Sequence, residues 1–505
     1  EAIVAVIYSD YAKDRIGWFF GLTGWQLGIL AVSSLPAFWA VNAQRWPLVA
    51  ALAGGWTLLA LLVVVPVRGR SATGWLAASV KYAVGSLARW TRFRSRAARG
   101  QAADLTQVDL PGVLAGVSIH DGPPHGPRLA RLAIIQDKAA RTWAVTAAVT
   151  HPGIGLADAT ERHRQGGGLS DLLDVCARTE LIDEVLLLVR TVPEDGAERD
   201  LWIRRHRRPT SPPLARQIND DLAQALSRAS VRTEVFVTLV VPETRIGRVA
   251  REAGGGLDGR ARVLYGLMAE VEGQLRGGLG ATSVAWLTSP ELALAVRTGF
   301  APGDRAGIID ALAEREHHLE VNADVPWALA GPSGADHELR HYSHDAWNSI
   351  AATIKLPDKG AAMGALAPVL TPGDPGERRS LLVAFPLLRQ TTADRQAANR
   401  EWAADMGASL RARAGVKMRA RQRAETAKTY GLDDKLARGY ALTRPYAVAT
   451  VTVPKTARIA EYGRKLDAAI RRAGYAPLRL DLAQDAGFAA ANIPLGVSLT
   501  RKSDA

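Results

Sequence analysis

Two uncharged apolar runs near the start of the chain constrain its fold more than any other feature. Residues 17–44 contain no ionisable side chain, and Arg45 is the only one before Arg68. Each run is long enough to cross a hydrocarbon core about 30 Å thick, which takes roughly 20 helical residues. A surface helix of a globular protein normally carries charge on one face. The sequence therefore predicts a transmembrane hairpin with spans at about 18–41 and 46–67.

Glycines provide a candidate packing surface for this hairpin. Gly24 and Gly28 lie on one helical face of the first run, and Gly54 and Gly55 lie in the second. Small residues allow membrane helices to approach each other closely. We therefore expect the two spans to contact each other through these four glycines.

The segment that follows the second run is basic and contains no acid before Asp104. Over 74–96 its cations alternate with apolar residues, which is typical of an amphipathic helix on anionic lipid. The predicted membrane-surface residues are Arg68, Arg70, Trp75, Lys81, Arg89, Trp90, Arg92 and Arg94. Positive charge flanks the cytoplasmic side of membrane spans. The pattern predicts a two-pass protein of the inner (cytoplasmic) membrane, with both termini and the main domain cytoplasmic. The alternative is a basic surface helix that contacts the soluble domain or a neighbouring subunit.

The rest of the chain alternates short β-rich runs with longer helical ones, which predicts an α+β fold with a mixed α/β region. Between the strand-like runs 185–192 and 233–241, Leu214, Ile218, Leu222 and Leu226 form an apolar helical stripe. A strand–helix–strand unit recurs at 233–287 and 446–482, which is compatible with two ferredoxin-like subdomains. The predicted organisation is a hairpin at 1–70, a juxtamembrane segment at 71–105, and cytoplasmic α/β subdomains at 106–320 and 321–505.

Two features of the composition exclude classes of function. The chain contains one cysteine, Cys176, which excludes a disulfide framework and lies in an apolar helical pattern that predicts a core position. The chain also contains no Gly-Lys dipeptide, so it has no standard P-loop for nucleotide phosphates. We therefore expect neither a secreted disulfide scaffold nor a P-loop ATPase.

Two short motifs suggest chemistry, but their sequence context does not support it. His337, Glu338 and His341 match the HExxH pattern of zinc hydrolases, in which both histidines share one helical face. A glycine-rich turn precedes this motif and a strand-like run follows it, so a chance match on a polar helix or turn is favoured and no metal is expected. The GxGxxG pattern at 254–259 does not follow a strand directly, so a linker between helices is favoured over a dinucleotide site.

A second basic cluster lies at 204–208 and is followed by Pro209, Pro212 and Pro213. Basic arrays can bind nucleic acid, but this one has no aromatic residues between its cations. A solvated face or an acidic protein partner is therefore the favoured interpretation, and a nucleic-acid partner is the less favoured one.

Ser289, Pro290 and Glu291 predict an N-cap, a first-turn proline and an early acid at the start of a helix.

The order of these features resembles a family of actinobacterial conjugation membrane proteins. The matching segments are LPGVLA at 110–115, YSHD at 342–345 and IPLGVSL at 493–499. Members of this family look like a two-span subunit of type IV secretion fused to the membrane-proximal, motor-less half of the energising ATPase. A second resemblance, carried by the hairpin with RGRS at 68–71 and WL at 75–76, is to the E component of the type VII secretion core.

These resemblances imply a protein without enzymatic activity and without a cofactor. The expected function is a scaffold subunit of a type IV-like secretion or conjugation complex, present in several copies of a symmetric assembly. Its implied partners are a separate P-loop ATPase, other complex subunits and anionic lipid. The alternative is a type VII core subunit, and an alternative of another class is a membrane-anchored zinc hydrolase that uses the HExxH segment.

Overall fold

A computed structural model provides the structure of this chain. It describes residues 24–499, except for residues 65, 68–69, 89–90, 103, 128, 154–156, 194–195, 209, 230, 356–363, 375, 389–442 and 444. The described residues fall into two compact units, one before Phe93 and one from Phe93 onward. The segment 391–428, for which the sequence predicts a long basic helix, lies outside the described residues.

The first unit is helical. It contains α1 (Gly24–Asn42), α2 (Trp46–Val64) and α3 (Ala72–Leu87), with the two-residue strands β1 (Pro66–Val67) and β2 (Arg70–Ser71) between α2 and α3. Helices α1 and α2 pack against each other, and Trp56 Nε1 donates a hydrogen bond to the carbonyl oxygen of Leu30 at 3.0 Å. The short connection 43–45 makes these two helices antiparallel neighbours.

The predicted membrane spans are not supported by this unit. Among the residues that the structure describes, no helix combines the length and the apolarity that crossing a membrane requires. The predicted two-pass topology is therefore wrong. The prediction rested on the absence of charge, but α1 begins only at Gly24 and contains Ser33, Ser34 and Pro36. Residues 18–23 of the predicted first span lie outside the described residues.

The basic segment that follows is not one continuous helix. Helix α3 ends at Leu87, and Arg92 and Arg94 lie in a short strand, β3 (Arg92–Arg94). The apolar side chains of Val80 and Val84 on α3 are exposed. Arg68, Arg89 and Trp90 lie outside the described residues, and the side chains of Arg70, Trp75 and Lys81 are not described.

The second unit is built on one large antiparallel sheet, to which thirteen described strands contribute. After β3 these strands are β4 (Val117–His125), β5 (Ala130–Asp137), β6 (Thr142–Thr150), β7 (Glu184–Pro193), β8 (Val231–Pro242), β9 (Ser283–Trp286), β10 (Gly334–His337), β11 (Tyr342–His344), β12 (Trp347–Lys355), β13 (Arg378–Pro386), β14 (Tyr446–Pro454) and β15 (Ala476–Arg479). The expected mixed α/β class is confirmed.

Helices connect these strands and cover the sheet. They are α4 (Ala159–Arg178), α5 (Ala197–His206), α6 (Pro213–Ala229), α7 (Glu243–Glu252), α8 (Gly256–Gly277), α9 (Ser289–Phe300), α10 (Arg305–Arg315), α11 (Trp327–Ala330), α12 (Ala367–Leu370), α13 (Ile459–Arg472) and α14 (Gln484–Asn492). The strand–helix–strand recurrence predicted at 233–287 and 446–482 is present, as β8 to β9 and as β14 to β15.

The order of the strands is palindromic. Strand β3 lies at one edge, next to β10, and from β10 the sheet runs β10-β11-β12-β14-β13 and continues as β7-β8-β6-β5-β4. In each half the last strand pairs with the far end of the third, β9 with β6 and β15 with β12. The first half therefore runs from β4 to α9, and the second half repeats its topology from β10 to α14.

The two halves join through their central strands. Strands β7 and β13 pair antiparallel over eight residue pairs, from Arg379 opposite Thr191 to Pro386 opposite Glu184. Leu188 lies opposite Leu382 near the middle of this pairing. The sheet is thus continuous across residue 320, where the sequence predicted a boundary between subdomains.

Three apolar clusters make up the core. The first contains residues of both halves, among them Leu188, Phe300, Leu382 and Phe488, and it lies on the sheet face covered by α9 and α14. The second includes α4, α7 and α8 of the first half, and the third includes α13 of the second half. The two halves thus have separate cores on one face of the sheet and a shared core on the other.

Candidate docking surface

The HExxH segment forms a β-hairpin and not a helix. His337 ends β10 and lies opposite Tyr342 of β11, and the backbone N–H of Glu338 donates to the carbonyl oxygen of His341 at 3.1 Å. His337 Nδ1 lies 3.3 Å from a carboxylate oxygen of Asp485. A zincin site needs both histidines on one helical face. Among the described residues, no group of three or more metal-ligating side chains is placed to hold an ion.

The GxGxxG pattern lies between two helices. Helix α7 ends at Glu252 and α8 begins at Gly256, and Gly254, Gly255 and Gly256 all have positive φ angles. Glycine adopts this left-handed conformation without the penalty that a Cβ atom would impose. The glycines therefore form the turn between two helices, as the sequence analysis predicted, and they do not follow a strand as a dinucleotide site requires.

Cys176 is a core residue. Its side chain, on α4, is fully buried in the apolar cluster that includes residues of α7 and α8, and this burial raises the pKa of the thiol to about 12. A nucleophilic cysteine needs the opposite shift, since the thiolate is the reactive form. The predicted core position is confirmed.

The three segments that carry the resemblance meet in the shared core. Leu114 of the first segment, Tyr342 of the second and Leu495 of the third are all buried in the cluster beside α14. Phe488 of α14 contacts the ring of Tyr342 and the ring of His344, with centroid distances of 5.1 and 4.4 Å. These segments therefore share a packing role around α14.

His344 is the best-placed acid–base side chain among these segments, but it is inaccessible. Its Nδ1 lies 2.8 Å from the carbonyl oxygen of Phe300, its Nε2 lies 2.9 Å from Ser349 Oγ, and its side chain is fully buried. Burial lowers the pKa of His344 to about 3. A neutral histidine with both ring nitrogens engaged stabilises the core and cannot serve a substrate in solution.

The connection between β7 and β8 carries exposed apolar and charged side chains on the surface of the second unit. This connection, which we call the α5–α6 arm, contains α5 and α6. Helix α5 packs against α10, where Arg204 pairs with Asp310 at 2.7 Å and Arg205 pairs with Glu316 at 2.6 Å. A groove of about 420 Å³ between α5 and α10 is lined by Leu201, Arg204, Arg205, Asp310, Ala313, Glu314 and His317.

The basic cluster at 204–208 lies on this arm, and much of its charge is neutralised within the chain. Besides the pairs of Arg204 and Arg205, Arg207 lies 3.1 Å from Asp220 of α6. These pairs are exposed, and exposed ion pairs contribute little stability each. The pairing leaves a mixed-charge surface, which argues against a phosphate-binding array.

Helix α6 carries an exposed apolar face. Leu214, Ile218 and Leu222 are 67%, 56% and 52% exposed, and their spacing of four residues places them on one side of the helix. Trp202 of α5 is also 61% exposed and stacks on His206. We call Leu214, Ile218 and Leu222 the α6 stripe; the side chain of Leu226, the fourth residue of the predicted stripe, is not described. A contiguous exposed apolar face of this kind is typical of a protein-interaction site.

Sequence periodicity identified the α6 stripe but not its exposure. The stripe predicts an amphipathic helix, and such a face normally packs on a core. The prolines at 212 and 213 indicate that α6 is a separate helix from the segment before it, because proline disfavours a continuous helix.

Helices α1 and α2 also expose apolar side chains. Phe38, Trp39 and Leu58 are each at least 60% exposed. A Cβ atom added to Gly28, Gly54 or Gly55 would meet no atom within 4 Å, so the contact between α1 and α2 does not run through these glycines. The surroundings of Gly24 are not described.

Comparison with known proteins does not assign this chain to a family. No family model matches it, and no curated protein matches it. The function must therefore be argued from the residues and their arrangement.

Proposed function

We propose that this protein is a non-enzymatic scaffold subunit of a type IV-like secretion or conjugation complex, and that it docks a separate P-loop ATPase. The observation that carries the proposal is the α6 stripe, three large apolar side chains exposed on one face of a helix. The chain has no Gly-Lys dipeptide, so a motor would be a separate polypeptide. In this proposal the complex is symmetric and contains several copies of the subunit.

The stripe suits recognition of a partner helix or groove. Amphipathic helices bind through anchors spaced three or four residues apart, and each fully buried Leu or Ile side chain contributes about 1.5–3 kcal/mol. We interpret the two halves of the sheet unit as two ferredoxin-like subdomains, and the α5–α6 arm is the connection between β7 and β8 of the first one. In this arrangement α5 packs against α10, and the exposed face of α6 is available to the partner.

The test is co-purification of the tagged full-length chain from its native cells, with the partners identified by mass spectrometry. The wild type is compared with the variant L214S/I218S/L222S. The control is R216S/Q217S/N219S, which replaces three exposed polar residues on the other faces of α6. We expect a P-loop ATPase with the wild type and the control, and loss of the ATPase with the stripe variant.

Two results would contradict this proposal. If no ATPase accompanies any of the three proteins, the chain does not dock a motor. If the stripe variant recovers as much ATPase as the control, docking uses another surface. Recovery of a type VII core in place of a type IV motor, lost in the stripe variant, would favour the alternative complex.

A further inference from the structure

Two arginines in the central strands of the sheet are fully buried. Arg190 lies in β7 of the first half and Arg378 lies in β13 of the second half, and their exposed fractions are 0% and 1%. Both side chains lie on the sheet face covered by α9 and α14. A buried guanidinium is costly unless its donors find acceptors, so the contacts of these two residues reveal what keeps them there.

Arg190 reaches from the first half to the second. Its Nη1 donates to the carbonyl oxygen of Asn492, the last residue of α14, and to that of Ala295 in α9, at 2.9 Å each. Its Nη2 lies 2.6 Å from a carboxylate oxygen of Glu234 in the neighbouring strand β8. The Glu234 carboxylate compensates the positive charge of Arg190. The guanidinium also binds the carboxyl end of α14, which belongs to the second half.

Arg378 reaches in the other direction. Its Nη1 donates to the carbonyl oxygens of Thr298 and Gly299 at 2.9 and 3.0 Å, and its Nη2 also donates to Thr298. Thr298 and Gly299 belong to the last turn of α9, in the first half. A cation at the carboxyl end of a helix is stabilised by the unpaired carbonyls and by the helix dipole.

The helix ends that receive these arginines touch each other. A Cβ atom on Gly299 would lie 2.5 Å from Ile493 Cδ1, 3.1 Å from Arg190 Nη1 and 3.1 Å from the carbonyl oxygen of Asn492. Any larger residue would press on Ile493, on Arg190 and on the end of α14. The two carboxyl ends thus converge at the centre of the sheet, where β7 pairs with β13.

We propose that Arg190 and Arg378 form a reciprocal clamp that makes the two topological halves one cooperative folding unit. Each arginine is fixed in the central strand of its own half and binds the carboxyl end of a helix from the other half. Opening either half alone would leave a buried guanidinium and several helix carbonyls without partners, and this cost links the two halves. The inference concerns the conformational design of the fold and does not depend on the proposed docking function.

The test is native-state hydrogen exchange of the full-length chain, comparing peptides from β5 and β6 with peptides from β12 and β14. In the wild type we expect the slowest amides of both halves to open together, with equal opening free energies. In the variant R378M we expect the slowest amides of the two halves to differ by about tenfold or more, because losing charged hydrogen bonds weakens the link. R378K keeps the positive charge but lacks the planar guanidinium with its several donors. It should give a smaller difference in protection between the two halves, in the same direction.

Arg379 provides a matched control. It lies next in the same strand, is 3% exposed, and pairs with Glu377 of its own half at 2.5 Å. R379M should therefore destabilise the chain while the slowest amides of both halves still open together. The proposal is overturned if the halves of the wild type open independently, or if R378M and R378K lower protection equally in both halves, as R379M does.

Discussion

His344 shows how a single buried side chain makes stability depend on pH. Its pKa is lowered from 6.5 to about 3 by burial, and the nearby Arg378 and Lys455 cations lower it further, while its hydrogen bond to Phe300 opposes the shift. Between these pH values the unfolded chain takes up a proton that the folded chain does not. The contribution of His344 to the unfolding free energy is therefore complete above about pH 6.5 and decreases as the pH falls toward 3.

Replacing His344 by an uncharged hydrogen-bonding residue should remove this part of the pH dependence. At about 1.4 kcal/mol per pH unit, the wild type should lose about 2 kcal/mol through His344 between pH 7 and pH 5. In H344Q this loss should disappear from the pH dependence, as measured by denaturant unfolding at both pH values. H318Q, at an exposed histidine, is the control for replacing a histidine by glutamine at the surface. Parallel pH curves for H344Q and the wild type would contradict the assignment.

Helix α9 shows how far local sequence can place the start of an element. The predicted N-cap was Ser289, whereas the structure begins the helix there and uses Thr288 as the N-cap. The Glu291 carboxylate accepts hydrogen bonds from the backbone N–H and the hydroxyl of Thr288, both at 2.8 Å. The Ser289 hydroxyl instead accepts from Trp327 Nε1 at 2.7 Å. The Ser289 hydroxyl is thus engaged by a distant indole, and Thr288 is the residue that caps the helix.

The capping box makes a prediction at the scale of this helix. E291A removes the acceptor for two Thr288 donors and should lower the unfolding free energy by about 1 kcal/mol. The measurement is the midpoint of denaturant unfolding, with an unchanged dependence on denaturant concentration. S289A, which removes a hydroxyl outside the box, tests whether the capping role belongs to Thr288. A larger loss for S289A than for E291A would restore Ser289 as the capping residue.

The whole molecule carries a formal net charge of +13, which predicts weak, general attraction to polyanions. In the described part of the chain, the cluster at 204–208 is largely paired with carboxylates, so a specific phosphate array is not expected there. Binding of duplex DNA should therefore be independent of sequence and should fall steeply between about 50 and 200 mM salt. Fluorescence anisotropy with two unrelated duplexes measures both properties. Salt-resistant binding to one duplex only would show a dedicated nucleic-acid site.

The sequence by itself determined the elements whose signal is local. Apolar periodicity predicted the mixed α/β class, the strands near 185–192 and 233–241, and the burial of Cys176, because neighbouring residues alternate or repeat with the period of the element they form. The glycines of the α7–α8 turn were predictable for the same reason. Absence of charge, in contrast, predicted membrane spans that the described helices do not support.

Only the tertiary structure decided the features that join distant residues. No local pattern specifies that β7 pairs with β13, that Arg190 binds the end of α14, or that HExxH folds as a hairpin. The same holds for the α6 stripe, whose periodicity is that of a buried helix although its side chains are exposed. A local pattern gives the period of an element and the face that is apolar. Which surface covers that face depends on contacts between residues far apart in the chain, and these contacts form only when the whole sheet is assembled.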